Sequence, residues 1–136
     1  MEVTTQIQLR YSDTDQMGVI YHANYVTFFE QGRTDFFKQI GIDYNEIEAS
    51  GIIFPVHDID ITYHNASRLD ETLYVVTTIK KISPVKIVFT HIIKTDNQIK
   101  AKGSSVIVCV DKATFKLRKL SKTLPKVYER MTDYGV

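Results

Sequence analysis

The sequence predicts an α+β fold in which one long helix lies against an antiparallel sheet of about five strands. Three observations carry this. Apolar residues alternate two by two at the start of the chain, switch to a helical period from Asn24 to Ile40, and return to two-residue alternation beyond Ile53. In the first segment Thr5, Ile7, Leu9 and Tyr11 share one parity and Gln6, Gln8 and Arg10 the other, so residues 3–11 read as a strand. A polar turn, residues 12–18, follows. Tyr25, Phe29, Gly32, Phe36 and Ile40 then recur at spacings that put them on one helical face, which Phe28 and Phe37 widen. Glu30, Arg33, Lys38 and Gln39 are expected away from it. The helix over residues 24–40 would be about 25 Å long. Gly41 stops it. Gly32 inside it costs ~1 kcal/mol relative to Ala, and close approach of another element would explain it.

Residues 43–50 read as a short helix before Gly51. Residues 53–63 read as a strand carrying His57, Ile59, Ile61 and Tyr63 on one parity, and residues 65–68 as a loop. Residues 73–82 form a β-branched stretch ending near Pro84, residues 85–94 the next strand, residues 95–98 a turn, and residues 99–115 another strand with Val106, Val108 and Val110 on one face. Short connections make the last three strands an antiparallel meander. Residues 123–131 are a terminal helix or an irregular tail. One helix covers only one face of such a sheet. The other face, or an edge, needs cover, and a second copy of the chain supplies it, so a homo-oligomer is expected.

The 136 residues fit one domain, residues 1–136. Hydrophobic residues at 43% and charged residues at 24% are the usage of a folded globular chain, which argues against disorder. No apolar run approaches the ~20 residues of a membrane-spanning helix. Residues 1–5 carry no basic-then-apolar leader, so a cytoplasmic location is expected. One cysteine, Cys109, excludes a disulfide framework and any multi-cysteine metal site. A net charge of +1 argues against a nucleic-acid binder. The charge is unevenly spread: residues 1–70 carry 11 acidic and 4 basic side chains, residues 71–136 carry 5 and 13. Lys-rich solvent faces or a patch for an anionic ligand would both account for that.

The informative segment joins the first strand to the long helix: Tyr11-Ser12-Asp13-Thr14-Asp15-Gln16-Met17-Gly18-Val19-Ile20-Tyr21-His22-Ala23-Asn24-Tyr25. Carboxylates sit in the loop, a histidine follows Asp15 by seven residues, and free N–H groups are expected at the helix start near His22, Ala23 and Asn24. A helix N-terminus favours developing negative charge. A carboxylate beside it suggests acyl transfer, in which a base or nucleophile acts while N–H groups hold an oxyanion. By pattern alone the signal is weak, because Asp and Asn ahead of a helix commonly cap it or form turns.

The full string, Tyr11-x-Asp13-Thr14-Asp15-x-x-Gly18-x-x-Tyr21-His22-x-Asn24-Tyr25 followed by Phe29-Glu30 and Arg33, resembles the 4-hydroxybenzoyl-CoA thioesterase family of hot-dog-fold proteins, and within it the bacterial acyl-CoA thioesterase subgroup that includes the Tol–Pal-associated enzymes. Residues 51–56 and the spacing Tyr63-x-x-x-x-Arg68-x-Asp70 extend the resemblance to roughly residues 5–130. The resemblance implies an antiparallel sheet wrapped around the helix. It implies homodimers joined edge to edge, often paired as homotetramers, with active sites at the dimer interface. It also implies hydrolysis of acyl-CoA to free acid and CoA without metal or redox cofactor. By position Asp15 matches the catalytic carboxylate, His22 the subgroup's histidine and carbonyl-polarising amide, and Tyr11 a tyrosine near the site. Asn24, Tyr25, Phe54 and Pro55 are expected around the substrate, Asn24 in a mainly structural role.

This agrees with the chemistry. A thioester carbonyl is electrophilic and the CoA thiolate leaves readily, so an oxyanion site and either an activated water or a directly attacking carboxylate suffice. Asp15 fits both roles. In the family's aromatic-substrate members, basic residues after the third strand hold the CoA phosphates. Here that turn reads Ile82-Ser83-Pro84-Val85, flanked by Lys80, Lys81 and Lys86, so those contacts stay unassigned. Hydrolysis of an acyl-carrier-protein thioester and a non-catalytic acyl-thioester-binding module are the alternatives, and the Asp15/His22 pair favours an enzyme.

Other residues read as structural. Asp58, Asp60 and His64 suggest a polar sheet face rather than a metal site. His57 and His91 read as packed or hydrogen-bonded strand residues, Cys109 as a small buried hydrophobe, Asn65-Ala66-Ser67 as a loop rather than a used glycosylation site, and Phe28, Phe29, Phe36 and Phe37 as core. No Gly-rich phosphate loop is present.

Overall fold

The computed structural model describes residues 1–135, so Val136, the last residue of the expected domain, lies outside the described residues. Five strands form one antiparallel sheet: β1 (Val3–Ile7), β3 (Val56–Tyr63), β4 (Leu73–Ile82), β5 (Lys86–Lys94) and β6 (Ile99–Val108), in the order β1-β4-β5-β6-β3. The meander β4-β5-β6 is its centre, as the short connections predict. Strand β3 crosses over to pair with β6, and β1 pairs with β4, so these two are the free edges.

The long helix α1 (Asn24–Gln39) crosses one face of the sheet. Its buried side contains Tyr25, Phe28, Phe29, Phe36 and Phe37, the predicted stripe. They meet the inward row of the sheet, which includes Val75, Ile79, Ile87, Phe89, Ile93 and Ile107. Burying a side chain of this size contributes about 1.5–3 kcal/mol. Gly32 is the close approach its position implied: a methyl group there would collide with the Thr77 side chain. Gly41, at φ +76°, takes the left-handed turn that ends the helix.

The short helix α2 (Tyr44–Ala49) is capped by Asp43, whose carboxylate accepts from the Asn45 N–H at 2.9 Å. Four expectations are corrected. First, the opening strand stops at Ile7, because residues beyond it peel away into the Tyr11–Asp13 turn. Second, residues 53–63 are not one strand. β2 (Ile52–Ile53) pairs instead with β7 (Val110–Asp111) in a separate two-stranded ladder, and Pro55, lacking an N–H, separates β2 from β3. Third, the strand predicted to run to Phe115 ends at Val108. The Asp111 carboxylate then accepts from the Ala113 and Thr114 N–H groups and closes a turn in which Phe115 sits at φ +61°. Fourth, His57 is exposed rather than packed, because it lies on the free edge β3. The C-terminal segment is helical: α3 (Leu120–Thr123) leads into α4 (Pro125–Gly135), whose Met131 is fully buried.

Arg33 also departs from expectation. It does not lie away from the buried face but is only 7% exposed. Its Nη1 donates to Ser105 Oγ at 3.0 Å on the inward face of β6. Ser105 Oγ also lies 2.8 Å from His91 Nε2, and His91 Nδ1 lies 3.2 Å from Thr77 Oγ1. The Phe29 ring stacks on the imidazole at 4.2 Å. A polar chain thus runs from helix to sheet through an otherwise apolar interior. Burial, together with the Arg33 charge, lowers the His91 pKa to about 3, so the imidazole is neutral, with one nitrogen as donor and the other as acceptor. His91 is thereby the hydrogen-bonded interior histidine that the strand pattern predicts.

Candidate active site

The loop between β1 and α1 is held from within. Thr14 bridges Ile20, the Asp15 N–H donates to the Val19 carbonyl at 2.9 Å, and Gly18 turns the chain at φ +77°. This tight hairpin fixes the Asp15 carboxylate: Oδ1 accepts from the Met17 N–H at 2.8 Å and the Val19 N–H at 3.4 Å. Oδ2 is left without a protein partner among the described residues. The Ile20 N–H donates to the Ser67 carbonyl at 2.8 Å and ties the hairpin to the loop after β3.

The start of α1 is open. Ala23 is its N-cap and offers no side-chain acceptor. Asn24, the residue type expected to cap, turns away and donates from Nδ2 to the Asp13 carbonyl at 2.9 Å, which also accepts the Tyr21 N–H at 2.8 Å. The N–H groups of His22 and Ala23 therefore have no acceptor among the described residues, at the positive end of a 16-residue helix. Tyr63, the last residue of β3, donates from its hydroxyl to the His22 carbonyl at 2.8 Å. That carbonyl shares a peptide plane with the Ala23 N–H, so the bond orients this N–H and strengthens it as a donor.

A cavity of about 300 Å³ opens beside this helix start, and Asp15, His22, Tyr25 and Tyr63 line it together with Met17 and the loop residues His64–Ala66. Tyr25 is buried, and its hydroxyl donates to Ser67 Oγ at 2.7 Å; burial raises its pKa. The His22 ring is exposed at the cavity's edge, edge-on to Tyr63 at 6.2 Å. The site can thus present a carboxylate oxygen and the His22 amide donor to one small group, with the free Ala23 N–H next along the chain.

The sequence-predicted residues do not all meet here. Asp15, His22 and Tyr25 do. Asn24 lies behind the helix start and braces the loop. Tyr11 is 83% exposed in its turn and does not line the cavity. Phe54 and Pro55 line a second cavity, of about 520 Å³, walled also by Phe37, Tyr44 and Arg33. The two cavities sit at opposite ends of β3: Tyr63 borders one and Val56 the other. From Val56 to Tyr63 the strand spans about 23 Å. Tyr63 is a site group to which the sequence reading gave no role, whereas the free N–H groups at His22 and Ala23 were expected. For Tyr63 the signal was available, since it shares parity with Ile59 and Ile61 and so faces the helix. Among the described residues no group of three or more His, Cys, Asp or Glu is arranged to hold a metal ion.

Residues 9–131 match the family described as the thioesterase-like superfamily. The chain is 39% identical over 121 residues to YneP of Bacillus subtilis, covering 88% of each chain. It is 32% identical over 119 residues to the acyl-CoA thioester hydrolase YbgC of Escherichia coli, covering 87% of this chain and 89% of that one. Among solved structures, the DHNA-CoA thioesterase of Staphylococcus aureus superposes with a TM-score of 0.93 at 34% identity, over 97% of this chain and 89% of that one.

Proposed function

We propose, for a chain that belongs to the thioesterase-like superfamily, that it hydrolyses acyl-CoA thioesters to the free acid and coenzyme A. The observation that carries this reading is that Asp15, with its free Oδ2, and His22, with its unpartnered N–H, line one cavity at the start of α1. The relatives support the substrate class, since the E. coli protein is described as an acyl-CoA thioester hydrolase and the S. aureus one as a DHNA-CoA thioesterase.

The thioester carbonyl oxygen binds between the two N–H groups, which stabilise it as it becomes an oxyanion. Asp15 then serves in one of two ways. As a base it takes a proton from water, whose oxygen adds to the carbonyl carbon. As a nucleophile it adds directly, and water cleaves the resulting anhydride. In both, the C–S bond breaks and its electron pair leaves on the CoA sulfur. The His22 side chain orients the water or the carboxylate. The bonds from Met17 and Val19 hold Asp15 in place without help from the substrate.

The acyl group needs a separate enclosure. The aromatic cavity around Phe54 and Pro55 is suited to it but lies a strand's length from Asp15 in the same chain. Antiparallel pairing of the free edge β3 with β3 of a second copy would bring the start of one strand beside the end of the other. One copy's aromatic cavity would then adjoin the other's Asp15. The reading is therefore a homodimer with two composite sites. On the sheet face away from α1, the half-buried Val76, Val88, Ile92 and Val106 support the pairing of two dimers as a homotetramer. A cytoplasmic site of action goes with a CoA-thioester substrate, and no helix among the described residues is long and apolar enough to cross a membrane.

The test is thiol release from short, long, aliphatic and aromatic acyl-CoAs by wild type and Asp15→Asn. Loss of the carboxylate is expected to lower turnover by about 10³-fold on every substrate hydrolysed, with an unchanged melting curve. Unchanged turnover by Asp15→Asn would remove Asp15 from the mechanism. Background rates for both proteins throughout would contradict acyl-CoA hydrolysis.

A further inference from the structure

Among the described residues the buried Arg33 has no carboxylate within ion-pairing distance. Its one hydrogen bond among the described residues, through Nη1 to Ser105, leaves Nε and Nη2 without acceptors there, and none of its nitrogens is both sealed from solvent and unpaired. The remaining donors therefore open into the cavity that Arg33 lines with Phe37, Tyr44 and Phe54. A guanidinium keeps its charge, and removing it from water without a counter-ion is costly. Glu30, one turn earlier on α1, borders the same cavity but forms no ion pair with Arg33. The protein holds a cation at the wall of an aromatic chamber, and the Glu30 carboxylate favours its charge through space without a direct ion pair.

We propose that Arg33 is a specificity-determining residue: it takes the far end of the acyl group, and the acyl groups preferred are those that carry an oxygen acceptor there, a phenolic hydroxyl or a carboxylate. The aromatic walls hold the body of such a group, and the free Nε and Nη2 donate to its oxygen. A plain hydrocarbon end would leave those donors facing it unpaired, which is how a polar site rejects an apolar analogue. This rests on the acyl-thioester reading and on the adjoining of the two ends of β3 in a dimer.

The experiment uses three coenzyme A thioethers that cannot be hydrolysed: phenacyl-CoA, 4-hydroxyphenacyl-CoA and 4-carboxyphenacyl-CoA. Each is titrated calorimetrically into wild type, Arg33→Met and Arg33→Lys. Wild type is expected to bind at least one oxygen-bearing probe about tenfold or more tighter than phenacyl-CoA. In Arg33→Met that ratio is expected to fall to within about twofold of unity. Arg33→Lys, with the charge but not the planar fork, is expected to fall between. The preferred probe tells phenol from carboxylate. A wild-type ratio near unity for both probes, or a wild-type ratio retained in Arg33→Met, overturns the proposal. Should Arg33→Met not fold by its melting curve, Arg33→Lys decides: a loss of about threefold or more in the ratio supports the proposal and an unchanged ratio overturns it. The probes need no turnover. A missing thiol release in the Asp15 assay would therefore contradict hydrolysis while this ratio still tested Arg33, and a flat ratio in an active thioesterase would contradict Arg33 alone.

Discussion

The two ends of strand β3 are built in opposite ways. At the Tyr63 end a hairpin loop and an uncapped helix start present one carboxylate and two backbone N–H groups, and backbone hydrogen bonds hold them. At the Val56 end side chains of α1, α2 and the sheet make an aromatic chamber around a buried cation. The first end can stabilise charge that develops during a reaction. The second can select a shape and an oxygen. Neither suffices for an acyl-thioester enzyme, and the free edge between them is what a second copy would use to join them.

Variants that touch one end alone should separate the two roles. Tyr63→Phe keeps the ring packed against Tyr25 and His22 but removes the bond to the His22 carbonyl. The Ala23 N–H then loses part of its orientation and donor strength. Turnover is expected to fall about tenfold with KM little changed, in keeping with a hydrogen bond worth about 1 kcal/mol or slightly more. A rise in KM at unchanged kcat would place Tyr63 in substrate binding rather than beside the oxyanion.

The interior beneath the other end gives a smaller effect, read in stability. The folded state holds the His91 pKa at about 3, against 6.5 unfolded. At neutral pH both states carry a neutral imidazole, and the burial is tolerated in full. Below about pH 6.5 the unfolded chain binds a proton that the folded one refuses, so stability falls as pH drops from about 6.5 toward 3, with a limiting slope of ~1.4 kcal/mol per pH unit from this group. Urea denaturation of wild type and His91→Gln across that range should show the wild-type slope reduced in the variant. Parallel curves would mean that His91 is protonated in the fold. The comparison between the two ends is sharpened if neither Tyr63→Phe nor Asp15→Asn alters this slope.

The sequence made the Tyr63 end far more legible than the Val56 end. Asp15, His22 and Tyr25 lie within one short segment, and a local hairpin brings them together, so their order in the chain is close to their order in space. Phe54 and Pro55 were read as lying around the substrate, but their distance from Asp15 was not legible, because that distance is set by a strand crossing to the far side of β6. Arg33 was misplaced for a simple reason. Period and polarity assign an arginine to the solvent side of a helix, and only the Ser105 hydroxyl, 72 residues away, shows why this one turns inward. The break in the strand after Val108 was hidden likewise, since Val106, Val108 and Val110 continue the alternation while the pairing partner changes from β5 to β2.

The most direct test of the account is a crystal structure of the Asp15→Asn protein holding an unhydrolysed acyl-CoA. The account predicts a β3-to-β3 dimer. The thioester carbonyl oxygen should lie about 3 Å from the His22 and Ala23 N–H groups of one copy, with the acyl group in the Arg33 and Phe54 cavity of the other. A thioester and acyl group contained within a single copy, or a carbonyl remote from the start of α1, would contradict it.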